Sequence, residues 1–89
     1  MRDIFITRQF KTDRKSIIQK QDVEALRLVL DYLIEGKTLP PEYREHPLQG
    51  NYAYCLECHA RPTLLLIYRI DGNKLILYRV GSHSKLLRK

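Results

Sequence analysis

Three histidines and one carboxylate mark the second half of this 89-residue chain as the place where chemistry could occur: His46, Glu57, His59 and His83. Glu57 and His59 are two residues apart in a stretch that reads as a strand, so they share a face at about 6–7 Å. His46 stands before the Gln49-Gly50-Asn51 turn that leads into this strand, and His83 follows the last strand. Such a set suits RNA cleavage without a metal. A base takes the 2′-hydroxyl proton, an acid protonates the departing 5′-oxygen, and cations offset the charge on the phosphorane. Imidazole, with a free pKa of about 6.5, serves either proton transfer. Arg61, Arg69, Arg79 and Lys85 are the candidate phosphate contacts, the arginines because their planar fork matches phosphate oxygens. In the alternation of their strands, Arg69 follows Leu65 and Ile67, and Arg79 follows Leu75 and Leu77, which puts both arginines at a rim. Tyr52, Tyr54, Tyr68 and Tyr78 offer faces for base stacking, although strand tyrosines more often serve cross-strand packing.

Charge points the same way. From His46 onward the chain holds seven of its sixteen basic residues but only two of its ten acidic ones, so nearly all of the net +6 lies in the histidine-bearing half. A basic face favours a polyanion or an acidic protein partner. No apolar run approaches the roughly 18–20 residues of a membrane span. The opening Met1-Arg2-Asp3-Ile4-Phe5-Ile6-Thr7 lacks the apolar core of a signal peptide. The expectation is a cytoplasmic protein with no membrane association and with reduced thiols.

Cys55-Leu56-Glu57-Cys58-His59 matches the C-x-x-C-H pattern of haem attachment. On a strand, however, residues three apart point to opposite faces. Cys55 and Cys58 then cannot grip one haem, one zinc or each other. A zinc knuckle would need a turn here and a second ligand pair. The reading is therefore no cofactor and no metal, with both thiols in or beside a core.

The elements that must position these groups follow from periodicity. Arg2–Thr7 reads as a short strand, with Thr7 as N-cap of a helix from about Arg8 to Gln19 whose apolar stripe is Phe10, Ile17 and Ile18. Asp22 caps a second helix, in which Val23, Leu26, Leu30, Leu33 and Ile34 recur at helical spacing before Gly36 stops it. Pro40-Pro41 forces a loop. Tyr52–His59 reads as a strand broken by Arg61-Pro62. Leu64–Ile70 is apolar enough for a central strand buried on both faces. Asp71-Gly72-Asn73 makes a hairpin into the strand Lys74–Val80. Gly81–Lys85 then leaves the sheet edge. The prediction is one α+β domain over residues 1–89, a helical hairpin on one face of a small, mostly antiparallel sheet, in the order β-α-α-β-β-β.

Several of these segments together resemble a known family. Leu39-Pro40-Pro41-Glu42-Tyr43, His46-Pro47-Leu48-Gln49-Gly50, Glu57-Cys58-His59 with Pro62, Leu66-Ile67-Tyr68, and Gly81-Ser82-His83-Ser84 followed by Leu86 resemble the YafQ branch of RelE-type toxins. These are the toxin halves of bacterial type II toxin–antitoxin pairs. The resemblance spans essentially the whole chain. It implies a RelE-like fold and a ribosome-dependent mRNA endonuclease, neutralised by a cognate antitoxin through which alone it meets operator DNA. By position, His46, Glu57, His59 and His83 match the family's catalytic set, and Arg79 lies near its basic lining. Glu57 stands where the family usually has an aspartate. Thr63 stands where YafQ-like toxins carry a further acidic residue, and Leu87 where they have an aromatic near the C-terminus.

The resulting expectation is a metal-independent mRNA interferase acting on ribosome-bound mRNA. His83 is its general acid, His59 or His46 its base, and Glu57 orients an imidazole; Arg61, Thr63, Arg79, Lys85 and Leu87 line the substrate. A toxin with a hydroxyl at 63 should be a weaker nuclease than relatives with an acid there. The alternative is a degenerate toxin that binds antitoxin and cuts poorly. A metal or haem protein ranks last.

Overall fold

A computed structural model describes residues 1–86. The order is β1 (Asp3–Ile6), α1 (Arg8–Lys15), α2 (Lys20–Ile34), a 3₁₀ turn (Pro41–Tyr43), β2 (His46–Pro47), a second 3₁₀ turn (Gly50–Tyr52), β3 (Leu56–Arg61), β4 (Leu64–Asp71), β5 (Lys74–Gly81) and α3 (His83–Leu86). The five strands form one sheet ordered β1-β5-β4-β3-β2. β1 runs parallel to β5, and every other pairing is antiparallel. None of the described helices is long and apolar enough to cross a membrane.

The helices start and stop for local reasons. The Thr7 hydroxyl accepts the Phe10 amide and caps α1. The helix ends at Lys15, earlier than the spacing suggested, because Ser16 and Ile17 bond back to Asp13 and Arg14 and tighten the chain into a turn. Ile17 stays in the core, whereas Ile18, counted above in the buried stripe, is 84% exposed. α2 begins at Lys20 with Gln19 as its boundary residue, so Asp22 lies in the first turn rather than at the cap, where a carboxylate still favours the helix dipole. Gly36 ends α2 at φ +76°, a conformation that costs glycine little.

Each face of the sheet has its own core. On one face α1 lies against β5 and α2 against β3. Phe10, Leu26, Val29 and Leu33 pack there on Cys58, Leu66, Tyr68, Leu75, Leu77 and Val80. On the other face a smaller cluster joins Cys55, Leu65, Ile67 and Leu86, with Leu48, Tyr52 and Tyr78 against it. β4 is thus buried on both sides, as its apolar run requires, and the two cysteines lie in different clusters. The two-residue hairpin after Asp71 is present, with Gly72 at φ +61°.

Three local departures reshape the site. Tyr52–Cys55 is not strand: Tyr52 ends a 3₁₀ turn, and Tyr54 takes φ +76° and is 86% exposed. The β3–β4 register shifts between His59 and Arg61. The β4–β5 register shifts so that Ile67 faces Arg79 while Tyr68 faces Leu77, leaving Tyr78 as the extra residue. A bulge of this kind reverses the facing of whatever follows it. Val80, not Arg79, therefore continues the helix-side core begun by Leu75 and Leu77.

Candidate active site

Register assembles the site. β2 is only two residues long, but it pairs His46 with Glu57, and Glu57 pairs with Ile67, which pairs with Arg79. His46, Glu57, Ile67 and Arg79 thus form one row across four strands. In the next row, His59 faces Leu65, and Leu65 faces Gly81.

His46 Nε2 lies 3.1 Å from Glu57 Oε1, and His59 Nε2 lies 3.8 Å from the same oxygen. The two imidazole centroids are 6.2 Å apart. Glu57 is 3% exposed, and its Oε2 has no hydrogen-bond partner among the described residues. His46 is anchored from behind, since its Nδ1 is 2.8 Å from the Arg44 carbonyl. A carbonyl only accepts, so Nδ1 carries the proton, and Nε2 faces the carboxylate. A proton taken up at Nε2 would lie within hydrogen-bond distance of Glu57 Oε1. One ligand atom from each of His46, Glu57 and His59 falls within 4.8 Å of the others, a spacing that suits a metal ion. The spacing of the cysteines gives no sign of this set, because His46 reaches Glu57 only through the β2–β3 pairing.

His83 does not join the three. It opens α3, exposed, two residues beyond Gly81. Gly81 is two strand spacings from His59, about 10 Å at the backbone. α3 lays Leu86 on the same sheet face as Leu65 and Ile67, so His83 borders that face from the β5 side.

Three of the four expected cations, Arg61, Arg79 and Lys85, are already engaged. Arg61, turned by the β3 bulge, reaches Asp22 at 2.7 Å and lines a cavity of about 300 Å³ with His59, Tyr43 and Arg44. Arg79 makes two bonds to Asp13, 2.6 Å from Nε and 3.1 Å from Nη2, which holds its charge more firmly than that of a free guanidinium. Lys85 Nζ stands 3.6 Å from Asp13. Thr63 is exposed and lines a different cavity, of about 320 Å³, with Ser82, Lys85 and Asp13. Leu87 lies outside the described residues. Asp13 was missed, although Phe10, Asp13 and Ile17 share the three-and-four spacing of a buried face. Burial opposes ionisation of Asp13, but hydrogen bonds from Arg79 and the Val80 amide, with the charges of Arg79 and Lys85, outweigh it and hold the carboxyl below its ordinary value.

A five-stranded mixed sheet with its helices in this placement, and a histidine–glutamate cluster on its open side, defines a RelE-like toxin fold. The profile of a family described as the bacterial toxin of a type II toxin–antitoxin system, YafQ, matches residues 2–88, and the chain belongs to that family. It is 34% identical to the mRNA interferase toxin YafQ of Escherichia coli K12 over 88 residues, covering 96% of this chain and 95% of that one. The solved E. coli DinJ–YafQ complex superposes with a TM-score of 0.86 at 32% identity, covering 97% of this chain and 98% of the other. A metal-bound toxin from Helicobacter pylori superposes at 0.80 with 36% identity, covering 97% and 99%.

Proposed function

We propose that this protein is a ribosome-dependent mRNA interferase that cleaves by acid–base chemistry without a metal and is held inactive by a cognate antitoxin. The observation that carries the reading is the convergence of His46 and His59 on the buried carboxylate of Glu57. Either imidazole, on taking the 2′-hydroxyl proton, becomes a cation that Glu57 stabilises at short range. His83, on the β5 border of the same face, protonates the departing 5′-oxygen. Arg79, in the row of His46 and Glu57, offsets phosphorane charge with the guanidinium edge that Asp13 leaves free. Arg61 and Lys85 contact flanking phosphates. Relatives named as mRNA interferase toxins support the substrate, and the E. coli DinJ–YafQ complexes support an antitoxin partner. Operator DNA is reached only through that partner.

The experiment is cleavage of a defined mRNA on translating ribosomes. The product should end in a 2′,3′-cyclic or 3′-phosphate, and the cognate antitoxin should abolish it. A 3′-hydroxyl product would exclude attack by the 2′-oxygen. A protein that binds antitoxin yet yields no cleavage would make it a binding module.

A further inference from the structure

Little holds the segment that carries His46. β2 has two residues and lies between two 3₁₀ turns, and the His46 side chain is 46% exposed. Arg44, just before it, takes φ +54°, a left-handed conformation uncommon for a residue with a Cβ. The ladder to β3 and the Arg44 carbonyl fix part of the geometry. A third contact comes from the core. The Tyr68 hydroxyl donates to the Glu45 carboxylate.

Tyr68 is 0% exposed, central in β4, and packed in the helix-side cluster beside Cys58. Packing alone gives no reason for its hydroxyl, since phenylalanine would fill nearly the same volume with no polar group to satisfy. A buried tyrosine hydroxyl needs a partner, and this one finds it in the residue preceding His46. Adjacent residues of an extended segment face opposite ways. Glu45 thus turns to the helix side, where Tyr68 stands, as His46 turns to the open side, where Glu57 stands.

We propose that Tyr68 and Glu45 are a positioning pair that sets the His46 imidazole against Glu57. The proposal rests on the reading of that cluster as the cleavage site, and it adds the residues that aim it. A hydroxyl in the core fixes the backbone at Glu45, and the backbone at Glu45 fixes the adjacent imidazole.

The test compares wild type, Tyr68→Phe, Glu45→Gln and Glu45→Ala, each confirmed folded by circular dichroism. Diethylpyrocarbonate, which acylates accessible imidazole nitrogens, is added at fixed pH, and the modification rate of His46 is taken relative to the exposed His83 in the same sample. The ratio should rise several-fold in Tyr68→Phe and Glu45→Ala, and less in Glu45→Gln, which keeps an acceptor oxygen. On ribosomes, kcat of Tyr68→Phe should fall about 10- to 100-fold, as for a sub-ångström to ångström misplacement, with KM within about twofold. A wild-type ratio in both Tyr68→Phe and Glu45→Ala overturns the pairing. The ratio is read without RNA, so a wild-type protein that cuts nothing removes the cleavage reading while the ratio still decides the pairing.

Discussion

Asp13 of α1 and Arg79 of β5 form a two-bond ion pair across 66 residues of sequence, with Nε to Oδ2 at 2.6 Å and Nη2 to Oδ1 at 3.1 Å. The Val80 amide adds a third bond to the same carboxylate at 3.2 Å. β5 continues from there into Gly81 and α3. The pair therefore fixes the strand end from which His83 departs, and it also sets which edge of Arg79 is free.

Arg79→Ala strips this buried carboxylate of its fork. Breaking one partner of such a pair costs about 3–5 kcal/mol, measured as a drop in urea-unfolding free energy. Arg79→Lys keeps charge but loses the second bond, so it should fall between. The Asp13 carboxyl is held below its ordinary value, so its contribution is fully present above the unfolded value of about 3.9. It is lost as pH falls through the folded value. Wild type should therefore lose more stability than Asp13→Asn between neutral pH and strong acid. Parallel acid profiles for the two proteins would contradict the assignment.

His46→Ala, His59→Ala and His83→Ala should each abolish growth arrest on induction and lower cleavage by roughly 10²–10⁴. His46 and His83 are exposed and His59 is partly so, so their melting curves should stay near wild type. Glu57→Ala removes a buried carboxylate and should lower activity as much. If His83→Ala retained full toxicity, the acid would have to be sought elsewhere.

Metal removal should leave cleavage intact, with EDTA tolerated once ribosome integrity is controlled. Added zinc or copper should inhibit, because the His46–Glu57–His59 spacing lets a borderline ion occupy the imidazoles that must accept a proton. Inhibition should vanish with EDTA, and metal affinity, measured by direct binding, should weaken in His46→Ala and His59→Ala. Stimulation by either metal would replace the metal-free mechanism.

Thr63→Asp places a carboxylate beside Lys85 and Ser82, in the cavity that Asp13 borders. It should raise the cleavage rate without altering antitoxin affinity. An unchanged rate, with Glu57→Ala inactive, would leave Glu57 as the single carboxylate in the reaction.

The thiols should be inert in the folded state. Burial first, then the nearby charges of Glu45 and Glu57, pushes Cys58 up to about 12, and burial raises Cys55. Thiolate is the reactive form. Ellman's reagent at neutral pH should react with neither until denaturant is added; fast labelling of Cys58 in native buffer would show that the helix-side core opens.

Much of this fold is local and was legible as such. The stripe from Val23 to Ile34 gave α2, the Thr7 cap gave the start of α1, Asp71-Gly72-Asn73 gave a hairpin, and the apolar run of β4 gave burial on both faces. Glu57 and His59 share a face because alternation is a property of neighbours two residues apart. The rest depends on register, which no local period contains. Only pairing brings His46 beside Glu57, through a strand two residues long. Only the β3–β4 register shift turns Arg61 to Asp22, and only the β4–β5 shift puts Arg79 in the row of Ile67, Glu57 and His46. Glu45 gave no signal because its partner Tyr68 lies 23 residues on, in another strand. Residue types and local spacing mark which side chains can carry protons, and they give the strand that holds Glu57 and His59, but not β2 under His46 or α3 under His83. The tertiary structure decided which of them meet, because one extra residue in a ladder reverses the facing of every side chain after it.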